Sequence, residues 1–424
     1  MDKFIIDGGN ILEGEINISG AKNSVLPIMA ASILNNGTTV LRNVPLVHDV
    51  ITMKQILEYI GAKVEIDGNT LNINTENINK TEAPYELVKK MRSSYYVLGS
   101  LIGRFGKASV SLPGGCVIGA RPVDLHIKGL KALGADIELE HGYIKSRFSK
   151  LKGTKIFLEG MHGPSVGATI NVMMAASAAN GESVISGAAC EPEVIDVANF
   201  INSMGGDIKG AGTHTIKING KTTFHDTEYS IIPDRIEAGT YIIAGVLAAK
   251  ELLIKNTIPS HLESLLVKLN EIGLNPIVDH NNILVKRKEN FKSTNIKVLP
   301  YPGFPTDMQA QFAVLMTQAE GKSIISETIF ENRFMYVPEL LRMGADIQTE
   351  DNNAFINGPT VLEGAEVMAS DLRASAALIL AALVAKGKTT ISRIYHIDRG
   401  YERIEKKLSN VGASIKRVNP NQEE

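Results

Sequence analysis

Several classes of protein are excluded by what this 424-residue sequence has little of. Only 2 cysteines are present, which argues against a disulfide framework and fits a reducing cytoplasm. The net charge of -2 provides no overall positive field, so nucleic acid is not an expected partner. The 9 histidines form no ligand spacing such as His-Glu-x-x-His, so no metal site is predicted.

Long hydrophobic runs are also missing. The most apolar stretch, residues 374–385, is shorter than the ~20 residues that span a bilayer, and it predicts a buried helix. Residues 1–4 lack the apolar core of a signal peptide. We therefore expect a soluble cytoplasmic protein with no membrane partner.

The sequence does contain an internal repeat. A glycine that suits the C-terminus of an amphipathic helix recurs about every 70 residues, and an apolar alternation typical of a strand follows it. The six glycines are Gly61, Gly134, Gly205, Gly273, Gly344 and Gly412. A second marker, an apolar helix followed by glycine and a β-branched strand start, recurs half a unit out of phase, as at Gly37, Gly181 and Gly387. A fixed period predicts a fold built from six copies of one unit.

The two helices of each unit have different patterns. Residues 50–60 and 123–133 are amphipathic, whereas residues 374–385 are apolar on nearly all sides and must be buried. Six buried helices are too many for one core, so we expect three repeats in each of two domains. This predicts an inside-out α/β barrel with sheets outside and helices inside.

The predicted domains are residues 21–229 and residues 1–20 plus 230–424, with residues 226–235 as the crossing between them. We expect the active site in the cleft between the two domains.

Charged and polar residues recur at the start of the predicted buried helices. They are Lys22 and Asn23, Arg92, Ser165, Asp234 and Arg235, Asp307, and Asp371 and Arg373. Helix N-termini bind anions through free N–H groups and the helix dipole. One such arginine is more often a solvated side chain, but the repeated position, together with Arg121 and Arg399, predicts a site for a multiply anionic substrate.

A glycine-rich stretch at about residues 112–121 contains Cys116 and Arg121. Its three glycines disfavour regular structure, and Pro122 with Asp124 suits the first turn of a following helix. This pattern indicates a flexible lid with a reactive thiol. An ordinary surface loop with an incidental cysteine is the alternative reading.

Specific motifs accompany this layout. They are Gly20-Ala21-Lys22-Asn23-Ser24, Gly114-Gly115-Cys116, Arg121-Pro122-Val123-Asp124-Leu125-His126, Ser165-Val166-Gly167-Ala168-Thr169, Phe330-Glu331-Asn332-Arg333-Phe334 and Asp371-Leu372-Arg373-Ala374. Together they resemble the enolpyruvyl transferase family, and within it the enzymes that act on UDP-N-acetylglucosamine. The resemblance covers essentially the whole chain.

The resemblance implies transfer of enolpyruvate from phosphoenolpyruvate to the 3-hydroxyl of UDP-N-acetylglucosamine, with release of phosphate. This is the first committed step of bacterial peptidoglycan precursor synthesis. It needs no metal or organic cofactor and no oligomer.

The resemblance also assigns roles to residues. Lys22 is implied to be catalytic and, with Asn23, to contact phosphoenolpyruvate, while Arg121 and Arg399 neutralise its phosphate and carboxylate. Cys116 is the implied proton-carrying lid thiol and the target of the epoxide fosfomycin, and Asp307 is the implied base on the sugar hydroxyl. The implied nucleotide-sugar contacts are Arg92, Arg121, Pro122, Val123, Asp124, Leu125, Asp307 and Ile329, with Arg333 and Arg373 also in the cleft. His48 is a departure, since many relatives have lysine there.

Two other functions stay open at this point. One is the sister reaction on shikimate 3-phosphate, that of 3-phosphoshikimate 1-carboxyvinyltransferase, which shares the six-unit architecture. The Gly-Gly-Cys lid followed by Arg-Pro-Val-Asp favours the nucleotide sugar as acceptor. The other is a non-catalytic repeat scaffold, against which the lid cysteine, the basic residues and Asp307 together argue.

Overall fold

The computed structural model describes residues 2–89, 91–112, 123–147, 150–161 and 163–419, with Arg92 described by its backbone alone. Cys116, Arg121, Pro122 and the predicted lid from residue 113 onward lie outside these ranges. Among the described residues, no helix combines the length and the apolar composition needed to cross a membrane.

The described residues contain short strands and helices that alternate along the whole chain. The strands are β1 (Lys3–Asp7), β2 (Leu12–Asn17), β3 (Thr38–Arg42), β4 (Lys63–Asp67), β5 (Thr70–Asn74), β6 (Glu82–Ala83), β7 (Ala108–Ser111), β8 (Ile137–Glu140), β9 (Tyr143–Ser146), β10 (Lys155–Phe157), β11 (Glu159–Gly160), β12 (Gly163–Pro164), β13 (Glu182–Ser186), β14 (Ile208–Lys209), β15 (Thr215–Asn219), β16 (Thr227–Ser230), β17 (Ala249–Lys255), β18 (Ile277–Asp279), β19 (Asn282–Val285), β20 (Ile296–Lys297), β21 (Gly321–Ser326), β22 (Asp346–Glu350), β23 (Asn353–Gly358), β24 (Glu366–Met368), β25 (Lys388–Ser392) and β26 (Ser414–Val418). The α-helices are α1 (Lys22–Ala31), α2 (His48–Ile60), α3 (Tyr85–Val88), α4 (Val97–Phe105), α5 (Asp124–Ala132), α6 (Val166–Ser177), α7 (Pro192–Ser203), α8 (Arg235–Ala248), α9 (Glu263–Glu271), α10 (Gln309–Thr317), α11 (Val337–Arg342), α12 (Leu372–Val384) and α13 (Ile404–Ser409). Short 3-10 helices are Ser32–Leu34, Arg92–Tyr96, Pro259–Leu262, Thr306–Met308 and Ile394–Arg399.

Among the described residues, six four-stranded sheets share one topology. In the sheet β10-β13-β15-β14, the first two strands are parallel and the remaining neighbours are antiparallel. A parallel pair needs a crossover connection, and the buried helix α6 provides it. An apolar helix precedes the second strand and a second helix follows it in every repeat. The predicted fold class, a two-domain inside-out α/β barrel of six repeats with three per domain, is confirmed.

The chain forms two compact units. Among the described residues, one unit comprises residues 2–19 and 233–419, and the other lies within residues 20–232. Each unit has three of the four-stranded sheets.

Three sheets obtain a strand from a distant part of the chain. Strand β16 pairs in parallel with β3, β2 pairs in parallel with β17, and β1 lies between β25 and β26. Residues 226–235, predicted only as a crossing, therefore include a strand that completes the sheet of the first repeat.

The cores consist mainly of the apolar helices predicted to be buried. In the unit within residues 20–232, nearly every side chain of α1 and α6 is buried, whereas α2 is half exposed. Helices α8, α10 and α12 are the corresponding buried helices of the other unit. Helix α4 approaches α6 closely at Gly99, where a Cβ would lie 2.3 Å from the backbone oxygen of Asn171.

The six repeat glycines have the conformation that their position predicts. All six have positive φ, from 84° at Gly273 to 109° at Gly61. Side chains disfavour this left-handed region, so glycine is the natural residue where each amphipathic helix ends.

Candidate functional site

Asp307 is held between two buried arginines in the unit of residues 2–19 and 233–419. It lies in the 3-10 helix just before α10. Arg333 Nη2 donates to its Oδ1 at 2.7 Å, and Arg373 Nη2 donates to its Oδ2 at 2.8 Å. The arginine side chains are 4% and 7% exposed, whereas the Asp307 side chain is 28% exposed. The carboxylate is thus fixed from the protein side and remains accessible to a ligand.

Each charged group of this cluster favours the ionised form of its partner. Burial acts to lower the pKa of the Arg373 guanidinium, but the negative charge of Asp307 is among the causes that outweigh burial and raise this pKa. Arg373 therefore stays charged. Two adjacent guanidinium groups also favour the ionised form of the carboxyl group between them.

A buried glutamate stabilises the loop that precedes Arg333 through hydrogen bonds. The Oε1 of Glu327 accepts hydrogen bonds from the backbone N–H groups of Ile329, at 2.8 Å, and Phe330, at 3.2 Å. Its Oε2 accepts from Thr306 Oγ1 at 3.0 Å, and the Thr306 carbonyl accepts from Arg333. Burial raises the pKa of Glu327. This network joins half-buried Ile329, a predicted site residue, to the residue before Asp307.

Three buried helices have capped N-termini. Asp371 accepts from the backbone N–H groups of Arg373 and Ala374 at the start of α12, and Asp234 caps α8 in the same way. Ser165 Oγ accepts from Ala168 at the start of α6. These amides are bonded within the protein, so a site for an anion depends on the charged side chains rather than on the capped amides.

Lys22 is the first residue of α1 and forms a buried ion pair. Its Nζ lies 2.7 Å from Oδ2 of Asp49, in the first turn of α2, and both side chains are buried. Asn23 beside it is half buried and His48 is exposed. Asp49 was not predicted from the sequence.

The predicted sugar-nucleotide residues 123–125 lie at the start of α5. Val123 and Leu125 are half buried and Asp124 is exposed. Buried His126 anchors this helix end, because its Nδ1 lies 3.1 Å from Nδ2 of Asn171 on α6. The amide nitrogen can only donate, so Nδ1 is the acceptor and the ring proton is on Nε2. Burial lowers the pKa of His126 to about 3, which keeps the ring neutral.

The buried His126 predicts a stability that depends on pH. Its folded pKa of about 3 lies below the ordinary 6.5, so below pH 6.5 the unfolded chain binds a proton that the folded chain does not. We expect His126→Gln to reduce the loss of stability between pH 6.5 and 5, by up to ~1.4 kcal/mol per pH unit.

The measurement is urea unfolding followed by circular dichroism at pH 7.5, 6.0 and 5.0, since the chain has no tryptophan. The control is His280→Gln, a change at an exposed histidine. Equal pH dependence of wild type and His126→Gln would contradict the assignment.

The remaining predicted residues lie on other elements of the fold. Arg92 begins the 3-10 helix before α4, and Arg235 is the first residue of α8. Arg399 ends the 3-10 helix Ile394–Arg399 and is half buried. Burial lowers the pKa of the neighbouring His396, and the charge of Arg399 adds to this effect.

The structure describes one of the two cysteines. Cys190 is buried, and its Sγ lies 3.6 Å from Nδ1 of His214. Burial raises the pKa of the Cys190 thiol, and the charge of Glu191 raises it further. A raised pKa reduces the thiolate fraction, which fits a structural thiol.

Sequence comparison finds similar proteins along the whole chain. A model of the family described as EPSP synthase (3-phosphoshikimate 1-carboxyvinyltransferase) matches residues 6–408. The chain is 53% identical over 420 residues to the UDP-N-acetylglucosamine 1-carboxyvinyltransferase of Desulfosudis oleivorans, covering 99% of this chain and 100% of the relative. It is 51% identical over 418 residues to the protein of the same name from Desulfatibacillum aliphaticivorans, with the same coverage.

Solved structures show the same fold. The enolpyruvyl transferase NikO from Streptomyces tendae superposes with a TM-score of 0.89 at 27% identity, covering 98% of this chain and 99% of that one. An EPSP synthase from Acinetobacter baumannii gives a TM-score of 0.72 at 18% identity, over 99% of this chain and 100% of that one. At that identity the second likeness concerns the fold alone.

Proposed function

The chain belongs to the EPSP synthase family of carboxyvinyl transferases, and we propose that it transfers enolpyruvate from phosphoenolpyruvate to the 3-hydroxyl of UDP-N-acetylglucosamine. One observation carries this choice of acceptor: relatives with that activity in their names are 51% and 53% identical over their full lengths. On this proposal the protein works in the cytoplasm and supplies the first committed precursor of peptidoglycan. The sister reaction on shikimate 3-phosphate is only a distant alternative.

The addition step of the proposed reaction requires two proton transfers. The sugar hydroxyl loses a proton as its oxygen bonds to the central carbon of phosphoenolpyruvate, and the methylene carbon gains one. Phosphate then leaves with the hydroxyl proton, and the resulting methyl group returns a proton to the group that supplied it, which yields the enol ether. We propose that Asp307 accepts the hydroxyl proton and that Cys116 donates the proton to the methylene carbon.

The arginine pair limits how Asp307 acts as a base. Two guanidinium donors make the carboxylate a weak base. The hydroxyl proton is therefore transferred as the new C–O bond forms, when the positive charge on that oxygen makes the proton acidic. A carboxylate has lone pairs beyond the two that the arginines occupy, so the partly exposed Asp307 can still accept this proton.

Cationic side chains have a role in this reaction. Phosphoenolpyruvate has a phosphate and a carboxylate, which charge-assisted donors bind strongly. We propose that Lys22, fixed by Asp49, and Asn23 act on phosphoenolpyruvate together with Arg121 and Arg399. Arg92 and residues 121–125 then bind the nucleotide sugar with Asp307 and Ile329, and Arg333 and Arg373 orient Asp307.

A phosphate-release assay tests the function directly. With phosphoenolpyruvate present, UDP-N-acetylglucosamine should support release and shikimate 3-phosphate should not. The enol ether should appear in equal amount by mass spectrometry. Release with shikimate 3-phosphate alone would favour the sister reaction, and no release with either acceptor would favour a non-catalytic scaffold.

The Lys22–Asp49 ion pair predicts a selective defect. Asp49→Asn keeps the side-chain shape but removes the charge that fixes the Lys22 ammonium. We expect kcat/KM for phosphoenolpyruvate to fall ~10-fold, which corresponds to the free energy of one lost charge-assisted hydrogen bond. The KM for the nucleotide sugar should change little.

Steady-state kinetics with each substrate varied in turn checks this expectation. The matched control is Glu58→Gln, which breaks a more exposed ion pair with Lys54 on the same helix. Equal effects of the two variants, or a defect only in the nucleotide-sugar KM, would count against the role of Asp49.

A further inference from the structure

We propose that Tyr401 is a positioning residue for Asp307: its buried hydroxyl fixes the Arg373 guanidinium, which in turn orients the Asp307 carboxylate. The inference rests on the proposed function, because Asp307 is the base in that reaction. Tyr401 was not predicted from the sequence. It is buried and follows the 3-10 helix Ile394–Arg399.

A continuous chain of hydrogen bonds leads away from Asp307. Arg373 contacts Asp307 through Nη2 and Tyr401 through Nη1, with an Nη1 to hydroxyl distance of 3.3 Å. The Tyr401 hydroxyl lies 2.7 Å from Oγ1 of Thr240. Thr240 Oγ1 lies 2.8 Å from the carbonyl oxygen of Ile236 on α8. The chain thus ends on the backbone of a buried helix.

Donors and acceptors can be assigned along this chain. A guanidinium only donates and a carbonyl only accepts, so Arg373 donates to Tyr401 and Thr240 donates to Ile236. The Thr240 proton is then used, and Tyr401 must donate to Thr240. Each hydrogen bond in the chain then has one donor and one acceptor, and the arrangement fixes the orientation of the Arg373 guanidinium.

Gln311 attaches the backbone of Asp307 to the same chain. Its Nε2 donates to the Asp307 carbonyl at 2.9 Å and to Thr240 Oγ1 at 3.2 Å. Asp307 is therefore fixed both at its carboxylate, through Arg373 and Tyr401, and at its backbone, through Gln311. Orientation of this kind matters because a small misplacement of a catalytic group has a large effect on rate.

Loss of the Tyr401 hydroxyl should act on turnover rather than on binding. Tyr401→Phe keeps the ring but leaves Arg373 Nη1 and Thr240 without their shared partner in a buried place. We expect kcat to fall ~10-fold, while both KM values stay within ~2-fold of wild type. The control is Tyr241→Phe. Tyr241 is also fully buried and lies in the same unit as Tyr401, and its hydroxyl has no hydrogen-bond partner among the described residues.

A double-mutant cycle separates positioning from general stability. If Tyr401 acts through Asp307, Tyr401→Phe should cause almost no further loss of kcat in an Asp307→Asn background. A purely structural role would multiply the two losses. Thr240→Val removes the next link and should lower kcat in the same direction, which provides a second variant if Tyr401→Phe folds poorly.

Failure of the proposed function and failure of the positioning role give different results. A wild-type protein that releases no phosphate from phosphoenolpyruvate with UDP-N-acetylglucosamine overturns the proposed function. An active wild type with unchanged kcat in Tyr401→Phe, or with multiplicative losses in the double mutant, overturns the positioning role alone.

Discussion

Asp307→Asn is expected to lower kcat by ~10²-fold or more, the usual scale for loss of a general base. Asparagine has nearly the same shape and keeps one oxygen for an arginine, but its amide cannot accept the hydroxyl proton. The substitution also removes the negative charge between Arg333 and Arg373. We therefore expect a moderate loss of thermal stability as well, because two buried guanidinium groups lose their shared counter-charge.

Binding measurements separate the loss of the base from the loss of the ion pairs. Isothermal titration calorimetry with UDP-N-acetylglucosamine should show a much smaller change than kcat. The matched control is Asp351→Asn, because Asp351 is exposed between β22 and β23 and its positive φ of 50° suits asparagine. Turnover close to that of wild type would remove Asp307 from the base role, and so would an affinity loss as large as the kcat loss.

The repeat pattern made the fold largely predictable. Glycines at a fixed period mark the ends of amphipathic helices, and an apolar helix without a polar face can only be buried. Such signals are local, so they can be read from one sequence. The strands β1, β2 and β16 were not predictable in this way, because each completes a sheet whose other strands are far away in the chain.

The candidate site was predictable in part. Arg333 and Arg373 came from motifs and Asp307 from the polar position that recurs at helix starts, and the structure places both arginines within hydrogen-bonding distance of Asp307. Asp49, Glu327 and Tyr401 were not predicted, because each has its role only through a partner that the fold brings near it. A buried polar residue is defined by its hydrogen bonds, and those are properties of the packed core rather than of the local sequence.

Cys116→Ser is expected to lose most of the turnover, whereas Cys116→Asp should retain measurable activity. If Cys116 supplies the proton to the methylene carbon, the acidity of the side chain matters more than sulfur itself. Serine is closest in shape but is an alcohol and a poor acid near neutral pH. Aspartate has a similar reach, and a nearby anionic ligand raises its pKa, so it can carry the proton.

The two cysteines provide an internal control for this assignment. Fosfomycin has a phosphonate for the predicted Lys22, Arg121 and Arg399 anion site and a strained epoxide that a thiolate can open. Burial raises the pKa of the Cys190 thiol, so that thiol should stay unmodified, and Cys190→Ser should remain sensitive to the epoxide. Peptide mass mapping should place the adduct on Cys116, and Cys116→Asp should escape because it lacks the soft nucleophile. An adduct on Cys190, or a fully active Cys116→Ser protein, would falsify the role of Cys116.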